Sequence, residues 1–294
     1  MSSLFGPVVT AMVTPFDGQG VVNYKAAASL ARYLAENGST GLVVAGTTGE
    51  APTLTAAEKL ALFRVVSGAV KGKAAVIAGT GCNSTAASVE LTRQAAPTGV
   101  DGVLLVTPYY NKPSQEGLVA HFKAVAASTA LPVMIYNVPG RTGVNMTAET
   151  TLRLSEVENI VAVKEASGDL EQAAAIRSGA SPDFALYCGD DALTLPMLSI
   201  GACGVVSVAS NIIGPRVKKM VDSFNLGQAA AAALIHRELL PLFRGLFMVS
   251  NPVPVKAALG MIGFDAGLPR LPLLPLNPEQ SARLKGLLAR YELI

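Results

Sequence analysis

Residues 160–167 read Ile-Val-Ala-Val-Lys-Glu-Ala-Ser, an apolar run that carries one lysine, Lys164, near its end. Runs of this kind, rich in Val and Ile and bounded by polar turns, are typical of strands in a parallel sheet that is covered on both faces. Burial disfavours the charged form of an amine, so we expect the pKa of Lys164 to fall. A partly neutral lysine can attack a carbonyl carbon and form an imine. The alternative is a lysine that pairs with Glu165 or extends to the sheet edge.

Similar β-rich runs recur along the chain and alternate with amphipathic stretches. The predicted strands are 8–14, 40–46, 74–80, 102–108, 132–138, 160–166, 184–190 and 204–210. The predicted helices are about 24–37, 55–70, 84–96, 115–129, 147–157, 169–178, 191–200 and 214–226. Eight such units with right-handed crossovers predict an α/β fold, a (β/α)₈ TIM barrel, with a doubly wound open sheet as the competitor. We expect the catalytic barrel at 1–226 and a C-terminal helical region at 227–294.

Composition excludes several classes of protein. The chain has 294 residues, is 50% hydrophobic and 15% charged, and has a net charge of +2 without a basic run. We therefore expect neither nucleic acid nor an anionic membrane as a partner. Its three widely spaced cysteines form neither a disulfide framework nor a metal-binding pattern. The N-terminus, MSSLFGP at 1–7, lacks a signal-peptide pattern, and no apolar run reaches membrane-spanning length. We expect a soluble, cytoplasmic protein.

A barrel predicts where the active site lies, because its polar residues gather at the C-terminal ends of the strands. The turn Gly46-Thr-Thr-Gly49 offers backbone N–H groups and two hydroxyls to a small carboxylate, although an ordinary turn would read the same way. Tyr136 could bond Thr47 across the rim and relay protons, or be a core tyrosine with its hydroxyl at the surface. Arg141 lies on a tight turn and suits a carboxylate, or is a solvated loop arginine.

Taken together, six motifs resemble the dihydrodipicolinate synthase family. They are GTTGE at 46–50, TPYYNKPSQEG at 107–117, YNVPGRTG at 136–143, VKEASG at 163–168, GDD at 189–191 and NPVPVK at 251–256. The match extends almost from end to end. The resemblance implies a class I aldolase-like barrel that condenses pyruvate with L-aspartate 4-semialdehyde on the diaminopimelate route to lysine. It further implies a homotetramer, arranged as a dimer of tight dimers, and the absence of any metal or organic cofactor.

The resemblance also assigns roles to individual residues. Lys164 would form the imine with pyruvate, Tyr136 would donate and accept protons, and Thr47 would belong to the proton relay. Tyr110 would complete that relay in the neighbouring subunit. The substrate-binding positions would be Thr48 at the pyruvate carboxylate, Val206 beside pyruvate, Arg141 at the carboxylate of the aldehyde, and Gly189 and Asp190 along the aldehyde site.

Members of this family that are inhibited by lysine bind it at the tight-dimer interface. Asn83, Tyr109 and the backbone near Ala51 match that site. The position of the effector-binding glutamate is Ala87 here, and two histidine positions hold Ala56 and Lys59. Without the carboxylate, the ammonium of lysine loses its natural partner, and Lys59 adds like charge. We expect inhibition by lysine to be weak or absent.

Two other functions fit parts of this pattern. N-acetylneuraminate lyase and 2-keto-3-deoxy sugar-acid aldolases share the barrel and the lysine, but Arg141 and the pair Tyr109-Tyr110 favour a short aldehyde with its own carboxylate. The other possibility is not an enzyme but a catalytically silent barrel that binds a keto acid. The joint presence of Thr47, Tyr110, Tyr136 and Lys164 argues against it.

Overall fold

The computed structural model describes residues 4–294; the first three residues of the N-terminal stretch considered above lie outside it. Eight parallel strands form a closed barrel in sequence order, and β1 pairs with both β2 and β8. The strands are β1 Val8–Ala11, β2 Gly41–Val44, β3 Ala75–Gly79, β4 Gly102–Val106, β5 Val133–Asn137, β6 Ile160–Glu165, β7 Ala185–Cys188 and β8 Gly204–Ser207. The TIM barrel is therefore confirmed, and the open sheet is wrong.

Helices follow the strands and cover the outside of the barrel. They are α1 Tyr24–Glu36, α2 Ala56–Val70, α3 Thr85–Ala95, α4 Gln115–Ala126, α5 Pro139–Thr142, α6 Ala148–Ser155, α7 Leu170–Gly179, α8 Thr194–Ser199, α9 Ser210–Asn225, α10 Ala229–Gly245, α11 Val253–Met261 and α12 Pro278–Arg290. Thr55 and Glu58 form a capping box at the start of α2, and the side chains of Ser114 and Thr147 cap α4 and α6. Each cap satisfies backbone N–H groups that a helix leaves unpaired at its first turn.

The predicted strands are too long at their C-terminal ends. The structure ends β2 at Val44 and β8 at Ser207, although the apolar runs continue to residues 46 and 210. The last residues of these runs leave the hydrogen-bonded ladder and build the rim instead. The short helix α5 was not expected, and the stretch predicted as a helix over 191–200 begins with a 3₁₀ turn at Asp191–Leu193.

The C-terminal region consists of three helices. Helix α10 packs against α9 and α12, and α11 packs against the same two helices. The predicted boundary at 226/227 falls in the turn between α9 and α10. The division into a catalytic barrel at 1–226 and a helical region at 227–294 stays a prediction. Within the described residues, no helix combines the length and apolar character that a bilayer crossing requires.

Sheet register determines which side chains meet at the rim. Lys164 on β6 is in register with Tyr136 on β5 and with Tyr187 on β7. In a parallel sheet, residues in register point to the same face. Lys164 is thereby placed beside Tyr136, near the C-terminal ends of the strands.

Candidate active site

The amine of Lys164 is buried and has no ion-pair partner among residues 4–294. The side chain is 5% exposed, and its Nζ lies 4.1 Å from the centroid of the Tyr136 ring. Burial lowers the pKa of Lys164 to about 8; the charge of Asp191 acts in the opposite direction, and that of Arg141 lowers the pKa further. An amine with this pKa is partly neutral in the physiological range, which an imine-forming lysine requires.

Glu165 does not pair with Lys164, so that alternative is wrong. Its carboxylate accepts hydrogen bonds from Nδ2 of Asn137 at 3.1 and 3.2 Å, from the backbone N–H of Ser167 at 2.7 Å, and from Nε2 of Gln172 at 3.1 Å. Neighbouring residues of a strand point to opposite faces. The carboxylate is therefore satisfied by the groups around it, away from the amine.

Space beside Lys164 depends on Gly189, the residue that directly follows β7. A Cβ on Gly189 would lie 2.7 Å from Cβ of Ala166 and 3.1 Å from Cε of Lys164. The approach to Ala166 is closer than real Cβ atoms show and that to Lys164 is tight, so a larger residue would force Ala166 to move and would crowd the lysine side chain. Gly189 thus adjoins Lys164, and its role along the aldehyde site stays a prediction.

Tyr136 and Thr47 form the pair that the rim positions predicted. Burial raises the pKa of Tyr136 to about 12, although Arg141 and a hydrogen bond with Thr47 lower it. The phenol therefore keeps its proton at neutral pH and can donate it to a developing oxyanion or alkoxide.

A cavity of about 370 Å³ opens beside this pair. Thr47, Tyr136 and the exposed Arg141 line it, and none of the described residues in its wall is acidic. Lys164 does not line the cavity itself. Its Nζ lies over the ring of Tyr136, and Tyr136 does line the cavity. A cavity with a cation and without a carboxylate favours anionic guests.

The turn after β2 is held by the C-terminal region. Thr48 is buried, and its hydroxyl accepts a hydrogen bond of 2.8 Å from Nδ2 of Asn251. Glu50 has a φ of +57° and forms an ion pair of 2.8 Å with Lys256, in which the two side chains are 2% and 1% exposed. We did not identify Asn251 and Lys256 as site residues from the sequence. The only signal was their presence in the NPVPVK motif.

The rim of β7 and β8 contributes a further residue, Asp191, to which the sequence analysis assigned no role. Asp191 is buried, and its carboxylate accepts hydrogen bonds from Oγ of Ser207 and, at 2.9 Å, from the backbone N–H groups of Val208 and Ala209. Asp190, by contrast, uses its side chain to accept from the backbone of Ala192. The GDD motif at 189–191 is the sequence feature that could have pointed to Asp191.

Val206 is buried on β8, in register with Val9 of β1. Its position lies within the barrel wall, next to the strand that closes the ring. No hydrogen bond is available to an isopropyl group, so any contact with a substrate there would be apolar.

Tyr110 lies apart from the other relay residues of its own chain. Its side chain is 91% exposed, its backbone has a φ of +73°, and it does not line the cavity. A positive φ is uncommon for residues other than glycine. Where it occurs, the strained backbone often marks a functional site. The structure brings Thr47 and Tyr136 together but leaves Tyr110 outside.

Most of the residues that match the effector site line the same cavity. Ala51 and Tyr109 are in its wall together with Lys59 and Cys82. Asn83 lies nearby, where its backbone carbonyl accepts a hydrogen bond from Asn111. No carboxylate faces Lys59 in the described part of the wall, and burial lowers the pKa of this lysine. No cluster of three His, Cys, Asp or Glu residues that could hold a metal ion occurs within residues 4–294.

Comparisons with known proteins agree with this geometry. The model of the dihydrodipicolinate synthetase family matches residues 4–290. A 4-hydroxy-tetrahydrodipicolinate synthase of Moorella thermoacetica is 56% identical over 290 residues, which is 99% of each chain. The 4-hydroxy-tetrahydrodipicolinate synthase 1 of Halalkalibacterium halodurans is 58% identical over 280 residues, or 95% of each chain.

A solved structure shows the same fold at full length. The crystal structure of the dihydrodipicolinate synthase from Cyanidioschyzon merolae, with lysine bound, superposes with a TM-score of 0.98, is 53% identical, and covers 100% of both chains. The resemblance drawn from the six motifs is confirmed, and with it the expectation of an enzyme. The chain belongs to the dihydrodipicolinate synthetase family.

Proposed function

We propose that this chain is a 4-hydroxy-tetrahydrodipicolinate synthase that condenses pyruvate with L-aspartate 4-semialdehyde through an imine on Lys164, in diaminopimelate and lysine biosynthesis. The observation that carries the proposal is a buried amine with a pKa of about 8 beside a protonated phenol, without an ion pair among the described residues. The relatives named above support the same reaction. A cytoplasmic location is part of the proposal.

In the first step the neutral Nζ of Lys164 attacks C2 of pyruvate. Tyr136 donates a proton to the carbonyl oxygen, which leaves as water and produces a protonated imine. The imine withdraws electrons, so a proton is lost from C3 and an enamine forms. The relay of Tyr136 and Thr47 carries these protons, since their hydroxyls are already hydrogen-bonded.

In the second step C3 of the enamine attacks the aldehyde carbon, and the new alkoxide takes up a proton. The amino group of the second substrate then adds to C2, closes the ring and expels Lys164 as the free amine. No redox change occurs, and the one water released on imine formation balances the atoms. The enzyme therefore ends the cycle with the lysine it began with.

The chemical character of the side chains indicates where each substrate would bind. Thr48 would donate to the pyruvate carboxylate and Val206 would contact pyruvate through its methyl groups. Arg141, an exposed cation on the wall of a cavity in which the described lining includes no acidic residue, would bind the carboxylate of the semialdehyde. Gly189 and Asp190 would line the same second site.

Tyr110 supports an oligomer. A phenol that is 91% exposed and held at a positive φ is suited to entering a neighbouring subunit, where it would join Thr47 and Tyr136. We propose a homotetramer built as a dimer of tight dimers, in which each tight dimer contains two complete sites. Exchange of Tyr110 for Phe should then lower the activity without altering binding of the carboxylates.

The test has two measurements. Borohydride reduction with pyruvate should place an adduct on Lys164 in the wild-type chain and none in Lys164→Ala, whereas the exposed-lysine control Lys285→Ala should be labelled normally. A coupled reductase assay with aspartate semialdehyde should then show turnover. An absent adduct would favour a silent keto-acid-binding barrel. An adduct with turnover only of sugar-derived aldehydes would favour the sugar-acid aldolases.

A further inference from the structure

Thr48 and Asn251 meet in the interior, 203 positions apart in the chain. Both residues are buried, and Nδ2 of Asn251 donates to Oγ1 of Thr48 over 2.8 Å. A hydroxyl has one hydrogen to donate and two lone pairs to accept. Because the amide occupies a lone pair, the hydrogen of Thr48 is directed elsewhere.

The Thr48 hydroxyl donates no hydrogen bond within the described chain, and Oδ1 of Asn251 is likewise buried without a partner. The contact with Asn251 is the one side-chain hydrogen bond that Thr48 makes among residues 4–294. A buried donor without an acceptor is costly, and such groups in native proteins commonly await a ligand or water. Thr48 is therefore an unused donor in a dry position of the rim.

The segment that carries Asn251 is itself firmly anchored. Five residues further on, Lys256 donates to Glu50 at 2.8 Å and to the backbone carbonyl of Leu268 at 3.1 Å. The second carboxylate oxygen of Glu50 accepts from the backbone N–H of Arg270 at 2.8 Å. These contacts tie the C-terminal region to the turn that contains Thr48, so the amide and the hydroxyl are held in one geometry.

We propose that Asn251 is a positioning residue that turns the Thr48 hydroxyl toward the carboxylate of the keto-acid substrate. It touches no reacting atom and acts through Thr48. The inference rests on the proposed function, since the contact of Thr48 with pyruvate belongs to it. It adds the C-terminal region to the determinants of keto-acid affinity.

The test uses the full-length enzyme and three substitutions. Asn251→Ala should raise the KM for pyruvate about tenfold, or about 1.4 kcal/mol, with a smaller change in kcat and an unchanged KM for the semialdehyde. Asn251→Asp should raise the KM for pyruvate further. A carboxylate has no N–H to donate to Thr48 and can only accept the hydrogen of its hydroxyl, so that hydrogen would no longer be available to the substrate. In a Thr48→Val background, Asn251→Ala should add little, since the two residues act as one unit.

A matched control separates positioning from stability. Asn159 is a part-buried amide at the opposite end of β6, where its Nδ2 donates to the backbone carbonyls of Ala126 and Thr129. Asn159→Ala should lower the melting temperature and leave the KM for pyruvate unchanged. An unchanged KM in both Asn251 variants, or a full additive penalty in the Thr48→Val background, would overturn the inference. Absence of the pyruvate adduct in the wild-type enzyme would instead overturn the proposed function.

Discussion

Lys164 should make the protein less stable than it would be without the amine, and this can be measured. The pKa of Lys164 falls from an ordinary 10.5 to about 8, mainly because burial removes hydration from the ammonium. Each pKa unit corresponds to about 1.4 kcal/mol of difference between the two protonation states. At pH 7, where folded and unfolded chains both carry the charge, the protonated amine therefore costs the folded state about 3 kcal/mol.

The sign of the pH dependence follows from proton counting. Between pH 8 and 10.5 the unfolded chain holds the proton of this lysine more tightly than the folded chain, so folding stability rises with pH in that window. Below pH 8 the cost is fully present, and above 10.5 it disappears. Lys164→Met removes the charge and conserves most of the volume, so the variant should be more stable by about 3 kcal/mol at pH 7 and by about 1.5 kcal/mol at pH 9.5.

Urea unfolding at both pH values, at one fixed protein concentration, tests this. Lys285→Met, which changes an exposed lysine, serves as the control and should shift stability by less than about 0.5 kcal/mol. The variant of Lys164 should also lose all condensation activity. Equal stability of Lys164→Met and wild type at pH 7, or a difference that does not shrink at pH 9.5, would refute the view that the amine is held in a dry site.

Two further predictions concern residues that support the active site, and a third concerns inhibition by lysine. Lys256→Met should lower the free energy of unfolding by about 3–5 kcal/mol, because it leaves the carboxylate of Glu50 buried and unpaired, and Lys256→Met/Glu50→Gln should recover much of the loss in the same urea titration. Gly189→Ala should reduce kcat at least about tenfold, because the new methyl group would push against Ala166 and crowd Lys164. The control Gly68→Ala, whose Cβ would meet no heavy atom within 4 Å, should leave kcat unchanged and stabilise α2 by about 0.5–1 kcal/mol. Lysine titration of the purified enzyme should give weak or no inhibition because Ala87 offers no carboxylate to the effector; strong inhibition by sub-millimolar lysine would contradict this.

The barrel was predictable because its cause is local. Short apolar runs alternate with amphipathic stretches at nearly even spacing, and the eight-fold repetition indicates closure. The adjacency of Lys164 and Tyr136 follows from the same pattern, since consecutive strands pair and their rim residues fall in register. The ends of the strands were less predictable, because hydropathy does not reveal where an apolar run leaves the ladder to become a rim loop.

The sequence by itself therefore determined the architecture, the buried lysine and the tyrosine and threonine that accompany it, since each depends on residue type and on neighbours along or across consecutive strands. Only the tertiary structure decided that Glu165 is satisfied by Asn137 and Gln172, and that Asn251 and Lys256 support the rim from more than 200 residues away. Such contacts depend on how the C-terminal helices dock on the barrel. A side chain that becomes buried only when two distant regions dock does not belong to a periodic sequence pattern. The sequence therefore does not indicate its partner.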